Sequence, residues 1–214
     1  DKSSITYTNF VYVQMISDFI KKIIGQKTDV IASGFSGSFV TMACHNEKEL
    51  FNKIMLVNPP SLTQLKQMPN RKDRLLKAAL EIPIFGTLVY HMIVSRDNIN
   101  NLFIEKMYYN PFHVDNQMSD AYYEAAHKGG YYTRFLYSSL AAKYININIC
   151  HALKALDNSI YIVGGTAMDS IKQLIGEYHE YNPAIESSLI SESKYLPQLE
   201  NPMELYKTIQ MFFV

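Results

Sequence analysis

A serine set among small residues, in the run Ser33-Gly34-Phe35-Ser36-Gly37-Ser38, has the makings of a nucleophile. Gly34 and Ser38 leave room for a sharp turn that lifts the Ser36 hydroxyl out of a sheet. The backbone N–H of Gly37, at the start of a new helix, then points where an oxyanion would form. The same pattern also serves as a plain turn serine that caps its helix. Serine chemistry needs a base, which makes the histidines the next residues to weigh. His127, in "YYEAAHKGG", precedes a Gly-Gly break that lets its helix hang over the site; His45, His91, His113, His151 and His179 read as surface or hydrogen-bonded side chains. Cys44 and Cys150 are far apart and lack metal-ligand spacing, so both read as reduced core thiols, and no cofactor is expected.

The elements that must position Ser36 follow from the apolar pattern. "DVIASG" is a short apolar run of buried-strand length that ends near Ser33, and a helix is expected from near Gly37, with strained backbone at Ser36 itself. Upstream, Tyr12, Ile16, Phe19, Ile20, Ile23 and Ile24 recur at helical spacing, and Gly25 sits where a helix stops. "KIMLVNPP", "NSIYIVGG" and "AIESSLIS" repeat the strand signal, "DSIKQLIGEYHEYN" reads as a crossover helix, and "NPMELYKTIQMFF" as a closing amphipathic helix. Strands that alternate with helices imply parallel pairing, so the expected class is α/β: a mostly parallel sheet flanked by helices. Residues 61–157 break the alternation with a helical stretch. They read as an inserted cap between core parts 1–60 and 158–214, with Leu75, Leu80, Phe85, Leu88, Met92, Phe103 and Tyr108 among the side chains expected to form its interior.

The 214 residues are 48% hydrophobic and 13% aromatic, enough for a sizeable core. Lys plus Arg equals Asp plus Glu at 20 each, with no basic run, which speaks against nucleic acid and for a small-molecule ligand or a protein partner. No apolar stretch reaches the ~20 residues of a membrane span and no Asn-x-Ser/Thr site occurs, so the chain reads as a cytoplasmic protein.

Four landmarks in order, "SGFSGS", "KIMLVNPPSL", "IYIVGGTAMDS" and "ISESKYLPQLENPMELYKTIQMFF", resemble the nucleophile elbow, the strand leading into the cap, the strand before the acid loop, and the closing strand, histidine loop and helix of the α/β-hydrolase family. The resemblance extends over all 214 residues. It implies Ser36 as nucleophile, Gly37 as oxyanion donor and Asp169 as the acid, with the N-cap of the following helix as the other reading of Asp169. It also places Tyr195 where the family carries its histidine and Asn58 where an alternative acid would stand. A phenol with an ordinary pKa near ~10 holds its proton at neutral pH and makes a poor base. The resemblance begins before the family's fifth strand, so the N-terminal strands have no counterpart here. The "DVIAS" strand is then an open edge, to be covered by a preceding segment or another chain. The implied function is a serine hydrolase acting on a small apolar ester or acyl compound, with a non-catalytic binding or scaffolding protein as the alternative.

Overall fold

In the computed structural model, which describes residues 3–214, four parallel strands lie in the order β1 (Thr28–Ser33), β2 (Phe51–Val57), β3 (Ile160–Gly165), β4 (Glu186–Ile190). Register runs Ala32 to Leu56, Leu56 to Ile162 and Ile162 to Ser187 across the sheet. This is the expected α/β architecture. The helices in chain order are α1 (Asn9–Phe19), α2 (Ser36–Asn46), α3 (Leu62–Leu65), α4 (Arg71–Glu81), α5 (Pro83–Ile93), α6 (Arg96–Leu102), α7 (Asn116–His127), α8 (Thr133–Ala141), α9 (Cys150–Ala155), α10 (Ile171–Tyr181), α11 (Pro197–Glu200) and α12 (Pro202–Phe213). Helix α1 runs on as a π turn, Ile20–Ile24, and ends at Gly25, whose φ of 71° closes it in the left-handed conformation that glycine adopts without a Cβ clash.

Alternation along the strands sorts the core into two faces. On one, Met55, Val57, Tyr161, Val163 and Ile190 pack with Leu205 of α12, and Ile209, Phe212 and Phe213 close over them. Leu56 points the other way, against Gly37 of α2. On that helix Phe39 stacks on Tyr12 of α1, with ring centroids 4.8 Å apart. Strand β3 is buried along its whole length, whereas Ile31 on β1 is 47% exposed, because β1 has a strand neighbour on one side only. Cys44 and Cys150 are free and buried, and burial pushes the Cys44 thiol up to about 12.

The chain divides into two compact units: Asn9–Gln67 with Ile147–Val214, which carries the sheet, and Met68–Asn146 together with the N-terminal residues through Thr8. The second is helical. Its interior is smaller than the apolar pattern implies: Leu80, Tyr90, Ile99, Phe103 and Tyr108 are buried, but Leu75, Phe85, Leu88 and Met92 are exposed. Among the described residues no single helix is long and apolar enough to cross a membrane.

Candidate active site at the C-terminal ends of the strands

Parallel strands present their carboxyl ends on one side of the sheet, and the backbone ladder here extends one step past each of the first three. Gly34 N–H donates to Val57 O (2.9 Å), Asn58 N–H to Val163 O (2.8 Å) and Thr166 N–H to Ile190 O (3.0 Å). The loops that leave these ends are therefore fixed to neighbouring strands at their first residue.

The first loop carries Ser36. Gly34, with φ of 58°, turns the chain out of β1, and Ser36 follows as the exposed first residue of α2. The strain expected at Ser36 is not there. Ser36 is helical, one residue ahead of the expected start, and the left-handed residue is Gly34, which lacks the Cβ that would make the turn costly. Gly37 also differs from expectation. Its N–H donates to Gly34 O at 3.1 Å, so the proton expected to face an oxyanion closes the turn instead. What Gly37 does supply is proximity, since a Cβ there would lie 3.2 Å from Leu56 Cδ2.

Tyr195 sits half-buried in the loop after β4, and that loop is held from several sides. Ser193 O accepts from Ala167 N–H (3.0 Å), and Lys194 N–H donates to Glu200 Oε2 (2.7 Å). Ser191 N–H and Oγ both donate to Glu204 Oε2, at 2.9 and 2.6 Å. The central fastening is Asn58, which is buried and has φ of 44°. Its Nδ2 donates to Lys194 O (3.0 Å) and Tyr195 O (2.9 Å), and its Oδ1 accepts from Gly165 N–H (3.1 Å). One amide thus joins the ends of β2 and β3 to the Tyr195 loop. Gly165 completes the fit, because the Lys194 and Ser193 carbonyl oxygens lie 2.2 and 2.6 Å from where a Cβ would be. Sequence reasoning treated Asn58 only as a missing acid. The available signal was an asparagine, tolerant of left-handed backbone, between a buried strand and two prolines.

Asp169 is exposed on the loop after β3. Its reading as a helix cap is corrected: α10 starts at Ile171 and its N-cap position is Ser170, with φ of 59° and no side-chain capping bond. No hydrogen bond joins Ser36 to Tyr195 or to Asp169 among the described residues. His127 belongs to the helical unit, where its Nδ1 lies 2.8 Å from Tyr123 O and its ring stacks on His91 at 4.9 Å. Beside Ser36, an open groove of about 600 Å³ runs the length of β1 between that strand and α1, lined by Met15, Phe19, Ile24, Val30, Ile31 and Ser36 among others.

The sequence matches no family model and no curated protein. Solved structures do match. A carboxylesterase of the thaumarchaeon Nitrososphaera gargenis superposes with a TM-score of 0.68 at 16% identity, over 99% of this chain and 73% of that one. An epoxide hydrolase gives 0.76 at 13% identity, over 100% and 77%. A meta-cleavage product hydrolase of Pseudomonas fluorescens IP01 gives 0.72 at 14% identity, over 98% and 72%. Parallel strands in sequential order, a strand-turn-helix around Ser36 and these superpositions agree that the chain has the α/β-hydrolase fold.

Proposed function

We propose that the chain carries the nucleophile of a serine hydrolase that acts on a small ester or related acyl compound with an apolar part. The observation that supports this is Ser36 itself: an exposed hydroxyl at the first turn of a helix, directly after the carboxyl end of a parallel strand, in a fold shared with a carboxylesterase. Ser36 Oγ attacks the acyl carbon and Asp169 is the candidate acid. Tyr195 is the residue that the sequence resemblance puts where the base would stand. A tyrosine hydroxyl is a weaker general base than a histidine imidazole, so the proposed site turns over slowly. A fluorophosphonate probe is expected to label Ser36 slowly in the native chain and not at all in Ser36→Ala. Tyr195→His is expected to speed labelling by roughly a hundredfold, within the range that a positioned general base supplies. Labelling that persists unchanged in Ser36→Ala would remove Ser36 from the chemistry.

We infer further that the open edge of β1 is paired by a strand from outside residues 1–214, on the same polypeptide or another one. Free backbone groups beside apolar surface support this, since Met15, Phe19, Ile23 and Ile31 are 57%, 54%, 71% and 47% exposed along that edge. The solved neighbours are also longer, this chain spanning 73% of the carboxylesterase. Peptides that cover Thr28–Ser33 are expected to exchange their amide hydrogens fast in the isolated chain, with self-association rising with concentration. Slow exchange there in a stable 24.6 kDa monomer would contradict the missing strand.

A further inference from the structure

Helix α5 is built inside out. Its sequence, PIFGTLVYHMI, has no charged residue, and none occurs from Ile82 through Ser95. Yet within it only Gly86 and Tyr90 are buried. Ile84, Leu88 and Met92, spaced i, i+4, i+8, are 85%, 58% and 63% exposed, and Phe85 beside them 53%. Side chains at that spacing share one face, so the outward stripe is apolar along the whole helix. An uncovered stripe of this kind on a soluble surface marks an interaction site.

The neighbouring helix fixes its orientation and supplies charge. Helices α4 and α5 meet at a bend of 98°, and both rest on α8. Arg134 of α8, itself buried, donates to Thr87 Oγ1 (3.2 Å) on α5 and to Glu81 O (3.4 Å) at the end of α4, while Ser138 Oγ donates to Glu81 Oε1 (2.8 Å). The Tyr90 and Tyr137 rings meet edge to face at 5.9 Å. The inner faces of both helices are thereby taken, and their outer faces both look away from α8. On α4 the outer face carries Arg71, Lys72 and Arg74 with Leu75, which is 73% exposed. The three cations make no ion pair among the described residues, whereas the acids of α4 are engaged: Asp73 with Lys143, Glu81 with Lys77. The result is an apolar arm joined at a right angle to a cationic one.

We propose that the outer face of α4 and α5 docks on an anionic lipid bilayer. Helix α5 lies in the plane of the interface with Ile84, Phe85, Leu88 and Met92 at the boundary between headgroups and acyl chains, and Arg71, Lys72 and Arg74 meet lipid phosphates. Charge complementarity selects this occupant, because apolar insertion flanked by unpaired cations is what binding to acidic headgroups requires. Neither helix is long enough to span alone: each has 11 residues. At about 1.5 Å per residue that is roughly half of a ~30 Å hydrocarbon core, and a bend of 98° separates the two. The proposal does not depend on the chemistry at Ser36.

The test is flotation of the full chain with two kinds of vesicle, phosphatidylcholine alone and phosphatidylcholine with about 30% phosphatidylserine. Binding is expected to the anionic vesicles, reduced at least roughly tenfold on neutral ones and weakened by salt. Ile84→Glu with Leu88→Glu is expected to abolish binding to both, and Arg71→Glu with Arg74→Glu to abolish the preference for phosphatidylserine. These are exposed positions, and an unchanged circular dichroism spectrum and thermal midpoint identify variants that keep the fold. Failure to float with anionic vesicles overturns the proposal. So does equal binding by the Ile84→Glu, Leu88→Glu variant. A dimer that the same double substitution dissociates, without vesicle binding, would assign the stripe to a second copy of the chain.

Discussion

Gly165→Ala is expected to cost about 3 kcal/mol or more of stability, at the upper end for inserting one methyl into a packed site. The new Cβ would meet two backbone carbonyl oxygens, Lys194 O at 2.2 Å and Ser193 O at 2.6 Å, and neither can rotate away as a side chain would. Relief requires the whole loop to lift from the end of β3, which also breaks the Ala167 to Ser193 and Asn58 to Lys194 and Tyr195 hydrogen bonds. Gly164→Ala is the informative comparison. Its Cβ would meet Ile171 Cδ1 at 2.4 Å, the mobile end of a side chain, so that variant is expected to lose markedly less. Urea titration checks both. For a slope near ~2 kcal/mol/M, the Gly165→Ala midpoint falls by about 1.5 M, and equal midpoints for the two variants would show that the Tyr195 loop is not seated on β3 as described.

Asn58→Asp is expected to destabilise the chain by about 3 kcal/mol at neutral pH, although it changes the side chain by one atom. Backbone is not the reason, because Asp tolerates the φ of 44° about as well as Asn does. The hydrogen bonds are. Nδ2 supplies two protons to two carbonyl oxygens, at 3.0 and 2.9 Å, and a carboxylate supplies none. Burial and the facing carbonyls raise the pKa of the introduced acid in the folded state above its unfolded value near ~3.9. The folded state then holds the proton more tightly than the unfolded one, so the variant is most stable, relative to the native chain, at low pH. That relative stability falls as pH rises through the unfolded pKa and levels off above the folded one. Denaturation of both chains between pH 4 and pH 8 reads the difference, and a constant gap across that range would show that the introduced carboxyl faces solvent instead of the loop.

Both positions show where reading from sequence runs out. Strands β1, β2 and β3 were legible because their side chains are apolar on a period that needs no tertiary information, and α1 and α12 because helical spacing and their terminal Gly25 and Pro202 mark them. The location of Ser36 was legible for the same reason, as a turn of small residues between such elements. Asn58 and Gly165 were not, since their roles are defined by carbonyl oxygens more than 25 residues away in sequence, supplied by a loop whose course the pattern does not specify. The strain misassigned to Ser36 has a local cause: Gly34 absorbs the turn two residues earlier, and either glycine-flanked position fits the same letters. Helix α5 misled in the other direction. Apolar periodicity signals a face that is covered, and it does not say by what.

The strand order carries a consequence for how length is tolerated. Each strand pairs with the next in sequence, but the connections differ: residues 34–50 join β1 to β2, and residues 58–159 join β2 to β3. Closing a flexible loop roughly six times longer costs only about 1.5 kcal/mol more in chain entropy, because the cost grows with the logarithm of length. The register of Ile54 with Ile160 and Leu56 with Ile162, backed by the Asn58 fastening, is set by contacts at the seam and not by the length of the excursion between them. Sheet and insertion are thereby decoupled: the excursion can lengthen, shorten or change its surface at an entropic cost smaller than that of the one methyl added at Gly165.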